Sequence, residues 1–187
     1  MSKRVAAFLA ALLVSAGVRS MEVAGVRVEE RARVGDAELV LNGAGLRSKL
    51  FFKIYVGALY APERTAVAET LVAGSGPRRM VLRMLREMPA DTLFGALREG
   101  LQHNTPEAEM AALGPSLERM AAIFKAVGTA REGDSIVLDF AGDGVAVGVN
   151  GEAKGRVGDG AFARALLRIW LGEHPVDAAL KKALLGQ

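Results

Sequence analysis

Leu39–Pro62, LVLNGAGLRSKLFFKIYVGALYAP, constrains the fold of this chain more than any other stretch. Leu39-Val40-Leu41 is a short apolar strand, and Asn42-Gly43-Ala44-Gly45 carries a turn or bulge signal. From Leu50 to Tyr60 nearly every residue is apolar or aromatic, broken only by Lys53, Gly57 and Ala58. Alternation along a strand puts Leu50, Phe52, Ile54, Val56 and Tyr60 on one face, and Phe51, Lys53, Tyr55 and Leu59 on the other. Both faces are mostly apolar, which predicts a central strand covered on both sides. One cover is expected to be a helical layer. The other is left open as a cavity.

The N-terminus differs in kind. Met1-Ser2-Lys3-Arg4 is a short basic start, Val5 to Val18 is apolar and alanine-rich, and small residues follow around Ser15–Ser20. That layout predicts a signal peptide over residues 1–20, leaving residues 21–187 as one domain in a periplasmic or secreted protein. The rival reading is an uncleaved membrane anchor, against which the short apolar core counts. Residues 1–20 hold Lys3, Arg4 and Arg19 and no acid, so of 24 basic and 21 acidic residues the remainder keeps 21 of each. Such a balance does not mark a nucleic-acid or anionic-membrane binder. With no cysteine, thiol chemistry, disulfides and cysteine metal sites are excluded.

Along the rest of the chain, Met21–Val28 reads as a first strand, Glu29–Arg33 as a charged stretch, and Val34-Gly35-Asp36-Ala37 as a turn into the organising segment. Thr65 is placed to cap a short helix over 66–73, and Gly74-Ser75-Gly76-Pro77 is a break. Residues 78–87 alternate as a strand. A helix opens at Pro89-Ala90-Asp91 and runs to about His103, with Leu93, Phe94, Leu97 and Leu101 as its apolar stripe. Thr105 is placed to cap a helix over 106–127 that Gly114-Pro115 can divide. Strands over 135–140, 145–149 and up to Val157 follow, joined by turns at 141–144 and Asn150-Gly151. Helices over 161–171 and 176–185 close the chain. The order argues for an α+β fold, an antiparallel sheet with helices packed on it.

Few residues carry chemistry. His103 and His174 lack partners at metal-ligand spacing and read as helix-end residues. Asp139, Asp143 and Asp159 lie near turns, where aspartate serves the backbone. Arg78, Arg79, Arg83 and Arg86 read as a solvated edge strand. Arg47 stands out: a lone guanidinium beside a glycine-rich bend and an aromatic strand can hold a carboxylate or enolate bidentately, though an exposed turn arginine is the plain alternative. Tyr55 is either a second donor or a core aromatic.

Gly43-Ala44-Gly45-Leu46-Arg47 and Lys49–Tyr60, with Phe162–Leu185 at the end, resemble the chalcone isomerase-like proteins, and in particular their exported bacterial branch. The resemblance implies that family's open-faced β-sandwich, an antiparallel sheet packed against a helical layer with a cleft between the long strand and the helices. Plant chalcone isomerases cyclise a chalcone by intramolecular conjugate addition, using an arginine, threonines, a tyrosine and an asparagine. The arginine corresponds to Arg47. The long-strand threonine falls on Tyr55, the helix tyrosine at about Leu93, the asparagine at about Gly100, and the polar residue of the late helix at about Ala163. With those polar groups gone, catalysis of that reaction is not expected.

Fatty-acid-binding relatives in the same superfamily hold the carboxylate with an arginine and a tyrosine. Arg47 and Tyr55 resemble that pair, and Leu93, Leu97 and Ala163 would give an apolar cavity around Gly100. On a straight strand, eight residues span about 26 Å. Either the chain bends between Arg47 and Phe51, or the two side chains touch different parts of a ligand. The leading expectation is a periplasmic, non-catalytic protein for a small amphipathic carboxylate such as a fatty acid, with no cofactor or metal and no membrane span after the leader. The alternatives are an isomerase or lyase in which Arg47 stabilises an anion and Tyr55 is a general acid, and an interaction protein whose cleft is filled by side chains.

Overall fold

The computed structural model describes residues 20–142 and 144–187. The leader expected over residues 1–20 falls almost wholly outside them, as does Asp143. Ser20 opens the first described strand. The elements in order are β1 (Ser20–Val23), β2 (Val26–Glu29), β3 (Arg31–Val34), β4 (Ala37–Lys49), β5 (Phe52–Ala61), α1 (Ala68–Ala73), β6 (Arg78–Met84), β7 (Met88–Pro89), α2 (Ala90–Asn104), α3 (Glu107–Ala112), α4 (Gly114–Val127), β8 (Thr129–Ala130), β9 (Ser135–Ala141), β10 (Gly144–Val149), β11 (Glu152–Val157), α5 (Gly160–Leu171) and α6 (Ala178–Leu184).

Seven strands form an antiparallel sheet in the order β11-β10-β9-β6-β5-β4-β3, so β5 and β6 lie at its middle. The main core fills the space between this sheet and the helices. Alternate residues Met80, Leu82 and Met84 of β6 point into it, as the alternation predicts. So do Phe162, Leu166 and Leu167 of α5, the most deeply buried helix. Asp159 caps that helix, its Oδ1 accepting from the Phe162 amide at 2.9 Å.

A smaller apolar cluster occupies the other face. Val56, Ala58 and Tyr60 of β5 meet Leu39, Leu41 and Val28 there, under the β1–β2 hairpin. The second cover of the long strand is therefore this hairpin rather than the cavity left open by the sequence. The expected single strand over 21–28 is two strands, because Ala24 and Gly25 turn with φ of 49° and 84°. An alanine in the left-handed region gives little warning of such a turn. The charged stretch over 29–33 contains the edge strand β3, paired with β4.

The glycine-rich segment takes one of the two forms the sequence left open. Of the turn or bulge that Asn42-Gly43-Ala44-Gly45 signals, the bulge is what forms, between Leu41 and Gly43, and the segment otherwise runs on through the middle of β4. A Cβ on Gly43 would collide with the backbone oxygens of Ala183 and Leu184, and one on Gly45 would lie 2.5 Å from the Ala183 Cβ. The glycines are there so that α6 can lie directly on the strand. Asn42 clamps the same junction. Its Nδ2 donates to Leu184 O at 2.7 Å and Thr65 O at 3.1 Å, and its Oδ1 accepts from the Thr65 amide at 2.8 Å.

Other expectations shift in detail. Thr65 bonds the Val67 amide ahead of α1 rather than capping the helix. Thr105 ends α2, and its buried hydroxyl caps nothing. Gly114-Pro115 does divide the long helical stretch into α3 and α4. The arginine-rich strand is central, not an edge: Arg79 forms a bidentate pair with Asp139 at 2.6 and 2.7 Å, so Asp139 serves a mid-strand ion pair and not a turn.

Candidate functional site

The turn of the long hairpin falls at Leu50-Phe51, with Lys49 paired to Phe52. Arg47 and Tyr55 are thereby direct cross-strand partners, which disposes of the straight-strand separation. The Arg47 guanidinium carbon sits 5.4 Å from the centre of the Tyr55 ring, in cation–π range. A bulge between Arg47 and Ser48 adjusts the strand here. Ile54 consequently joins Tyr55 in the main core instead of facing away with Val56.

Tyr55 is buried, and its hydroxyl accepts from Trp170 Nε1 at 2.9 Å. Among the described residues nothing accepts the phenolic proton. Burial pushes the phenol's pKa up, opposed by the Arg47 charge and the Trp170 hydrogen bond. Arg47 has the reverse deficit. Its Nε is buried without a hydrogen-bond partner, and no carboxylate among the described residues forms an ion pair with it. The nearby acid, Asp177, is committed elsewhere: Oδ1 accepts from the Leu180 amide at 2.9 Å and Oδ2 from the Ser48 amide at 3.1 Å.

Arg47 and Tyr55 line a pocket whose remaining wall is apolar apart from the Trp170 indole. Leu82, Ile136, Leu138 and Val147 come from the sheet, Leu93, Ala96 and Leu97 from α2, Phe124 from α4, Ile169 and Trp170 from α5, and Val176 from the loop before α6. The free volume is about 60 Å³. A second void of about 20 Å³ continues toward Ile123 and Val149, and the two share Leu93, Phe124, Ile136 and Val147. Leu93, Phe94 and Leu97 remain half-buried, so the inner face of α2 is loosely held compared with α5.

Four of the residues singled out in the sequence thus meet: Arg47, Tyr55, Leu93 and Leu97. The other two do not line this pocket. Gly100 is pressed against α5, where a Cβ would lie 2.9 Å from Ile169 Cγ2. Ala163 is buried beside Phe140 and Arg78 in a separate crevice. Trp170 is a site residue the sequence reading did not single out, because its bond to Tyr55 spans 115 positions and leaves no local pattern. His103 and His174 stay apart from the pocket, joined to each other's neighbourhood through Asn104, which accepts from the His174 amide at 3.0 Å.

A curled antiparallel sheet, one face under helices, with a cationic group at the edge of an apolar pocket, defines the class of protein. The chain belongs to the chalcone isomerase-like family, whose model matches residues 20–186. Its fold is also that of a crystal structure of an Arabidopsis thaliana fatty-acid binding protein, with 18% sequence identity and a TM-score of 0.72 over 89% of this chain and 96% of that one. No curated protein matches the sequence.

Proposed function

We propose that this protein binds a small amphipathic carboxylate, such as a fatty acid, without transforming it, and that it does so outside the cytoplasm. The supporting observation is the Arg47 Nε, buried and without a hydrogen-bond partner at an apolar pocket, on a guanidinium with no carboxylate paired to it among the described residues. A carboxylate supplies that partner, with the free Tyr55 proton as a second donor. The tail runs inward between the sheet and α2. A fatty-acid binding protein of the same fold is consistent with this reading, and the Met1–Ser20 pattern supports export.

The free volume holds about four waters on the usual measure, so a long tail requires α2 to move outward. That narrowness also favours a second reading, in which the cleft is closed and the chain engages a protein instead. Catalysis gains less support. A buried phenol with a raised pKa is a poor proton donor at neutral pH, and the wall offers no polar group to replace it. Native mass spectrometry of the protein purified gently from its host, beside Arg47→Ala, tests the proposal. A bound carboxylate present in the wild type and lost in the variant is expected. An empty pocket in both, with no uptake across a fatty-acid series, would refute it in favour of the closed cleft.

A further inference from the structure

Among the described residues, exposed large apolar side chains concentrate at the β4–β5 turn. Three consecutive large apolar residues occupy it, Leu50 at 84% exposure, Phe51 at 99% and Phe52 at 56%. Leu50 also holds a φ of 56°, a conformation for which glycine or asparagine is the stable choice. Neither solubility nor turn stability accounts for this sequence.

Cations predominate around the turn. Lys49 and Lys53 flank the turn on its two strands, both exposed, and Arg86 lies over Phe52 with its guanidinium carbon 4.6 Å from the ring centre. Among the described residues none of the three forms an ion pair. Glu87 follows Arg86 and Asp177 accepts from the Ser48 amide, so three cations face two acids and the balance around the turn is cationic. The even charge of the whole chain conceals this cluster.

We propose that the Leu50–Phe52 tip inserts into a lipid bilayer surface bearing anionic headgroups. The apolar side chains enter the headgroup–acyl boundary while Lys49, Lys53 and Arg86 meet the phosphates. The occupant follows from shape and charge. A second copy would bring an equally cationic tip against the first, and a narrow convex turn has no matching concavity in itself. No helix among the described residues is long and apolar enough to cross a membrane, so the contact is peripheral. Docking stands on the tip alone. Its use rests on the proposed function, since Arg47 is three positions from Leu50 and the pocket would then face the surface from which a fatty acid leaves.

The test is vesicle co-sedimentation of the chain as recovered from its host, with any N-terminal segment common to all variants. Vesicles of phosphatidylcholine alone are compared with vesicles in which about a quarter is phosphatidylglycerol. Binding to the anionic vesicles is expected to fall at least about tenfold in Leu50→Ser/Phe51→Ser and in Lys49→Glu/Lys53→Glu, and to weaken with added salt. Phe51→Trp gives a direct readout that needs no loss of function, an emission that shifts to the blue on anionic vesicles. Equal partitioning of the wild type and the Ser double variant, or an unshifted emission from the Phe51→Trp variant, overturns the proposal. So does vesicle-free self-association abolished by the same double variant, which would make a second copy the occupant. Arg47→Ala separates the two ideas: it is expected to lose the fatty acid and keep the vesicle. A wild type that takes up no fatty acid yet sediments with anionic vesicles leaves docking intact and removes only the pocket reading.

Discussion

At the scale of single residues the site is an imbalance of partners. The Arg47 Nε lacks an acceptor, Tyr55 has a proton without a taker among the described residues, and Trp170 donates to the phenolic oxygen. Tyr55→Phe is expected to cost about 1 kcal/mol of stability through the stranded indole N–H, and to weaken carboxylate binding less than Arg47→Ala does. Thermal melts and binding titrations on the two variants separate these effects. The two tyrosines of the chain also make a pH prediction. Tyr60 is pushed up to about 12 by burial and by Glu29, and Tyr55 is shifted upward too. Both folded-state values exceed the unfolded 10.0, so the folded protein keeps protons that the unfolded chain releases. Stability is therefore full below pH 10 and falls as pH rises from there, for Tyr60 through about 12. Denaturant melts at about pH 8 to 11, read with tyrosinate absorbance, check the sign; a melt that strengthens with pH in this range contradicts it.

At the scale of elements, α6 is seated on β4, the strand that carries Arg47. Gly43 and Gly45 let the helix lie on the strand, Asn42 ties its C-terminal turn, and Asp177 caps its start while gripping Ser48. Gly45→Val forces a side chain into Ala183 and is expected to cost about 2–4 kcal/mol. Asp177→Ala is expected to cost about 1–2 kcal/mol through the lost cap. Denaturant unfolding measures both, and a neutral Gly45→Val would mean that α6 is not seated as described. This junction shows why the sequence was partly misleading. A glycine run signals freedom of the backbone, whether the chain uses it to turn or to admit a neighbour. Only the position of α6, distant in sequence, decides between the two. The Leu50-Phe51 turn was hidden for the opposite reason, since its residues are strand formers.

At the scale of the whole molecule, the period-two and period-3.6 patterns made the sheet and the helical layer legible, because burial imposes those periods directly, while the family was legible through the resemblance carried by Gly43–Arg47, Lys49–Tyr60 and Phe162–Leu185. Arg47 and Tyr55 stood out on their chemistry, Leu93 and Leu97 were added by the family resemblance, and the cross-strand pairing that unites the first two was not legible, because it depends on where the hairpin bends. Gly100 and Ala163 were misplaced because correspondence along a chain does not preserve which face of a helix meets the pocket. The fold also predicts a global response to ligand. At about a hundredfold excess over Kd a bound fatty acid adds ~2.7 kcal/mol, raising Tm by about 5–10 °C. Hydrogen exchange should slow in α2 more than in α5, since α2 is the wall that must open.

The most direct measurement is a calorimetric titration of wild type and Arg47→Ala, each with a fatty acid and with the alcohol of the same chain length. The tail is shared, so the difference between the two ligands isolates the carboxylate, and the variant isolates its partner. The wild type should prefer the acid by at least about tenfold, and Arg47→Ala should erase that preference with the melting temperature unchanged. Equal affinity of the wild type for acid and alcohol, or an acid preference that survives in Arg47→Ala, would contradict Arg47 as the anchor.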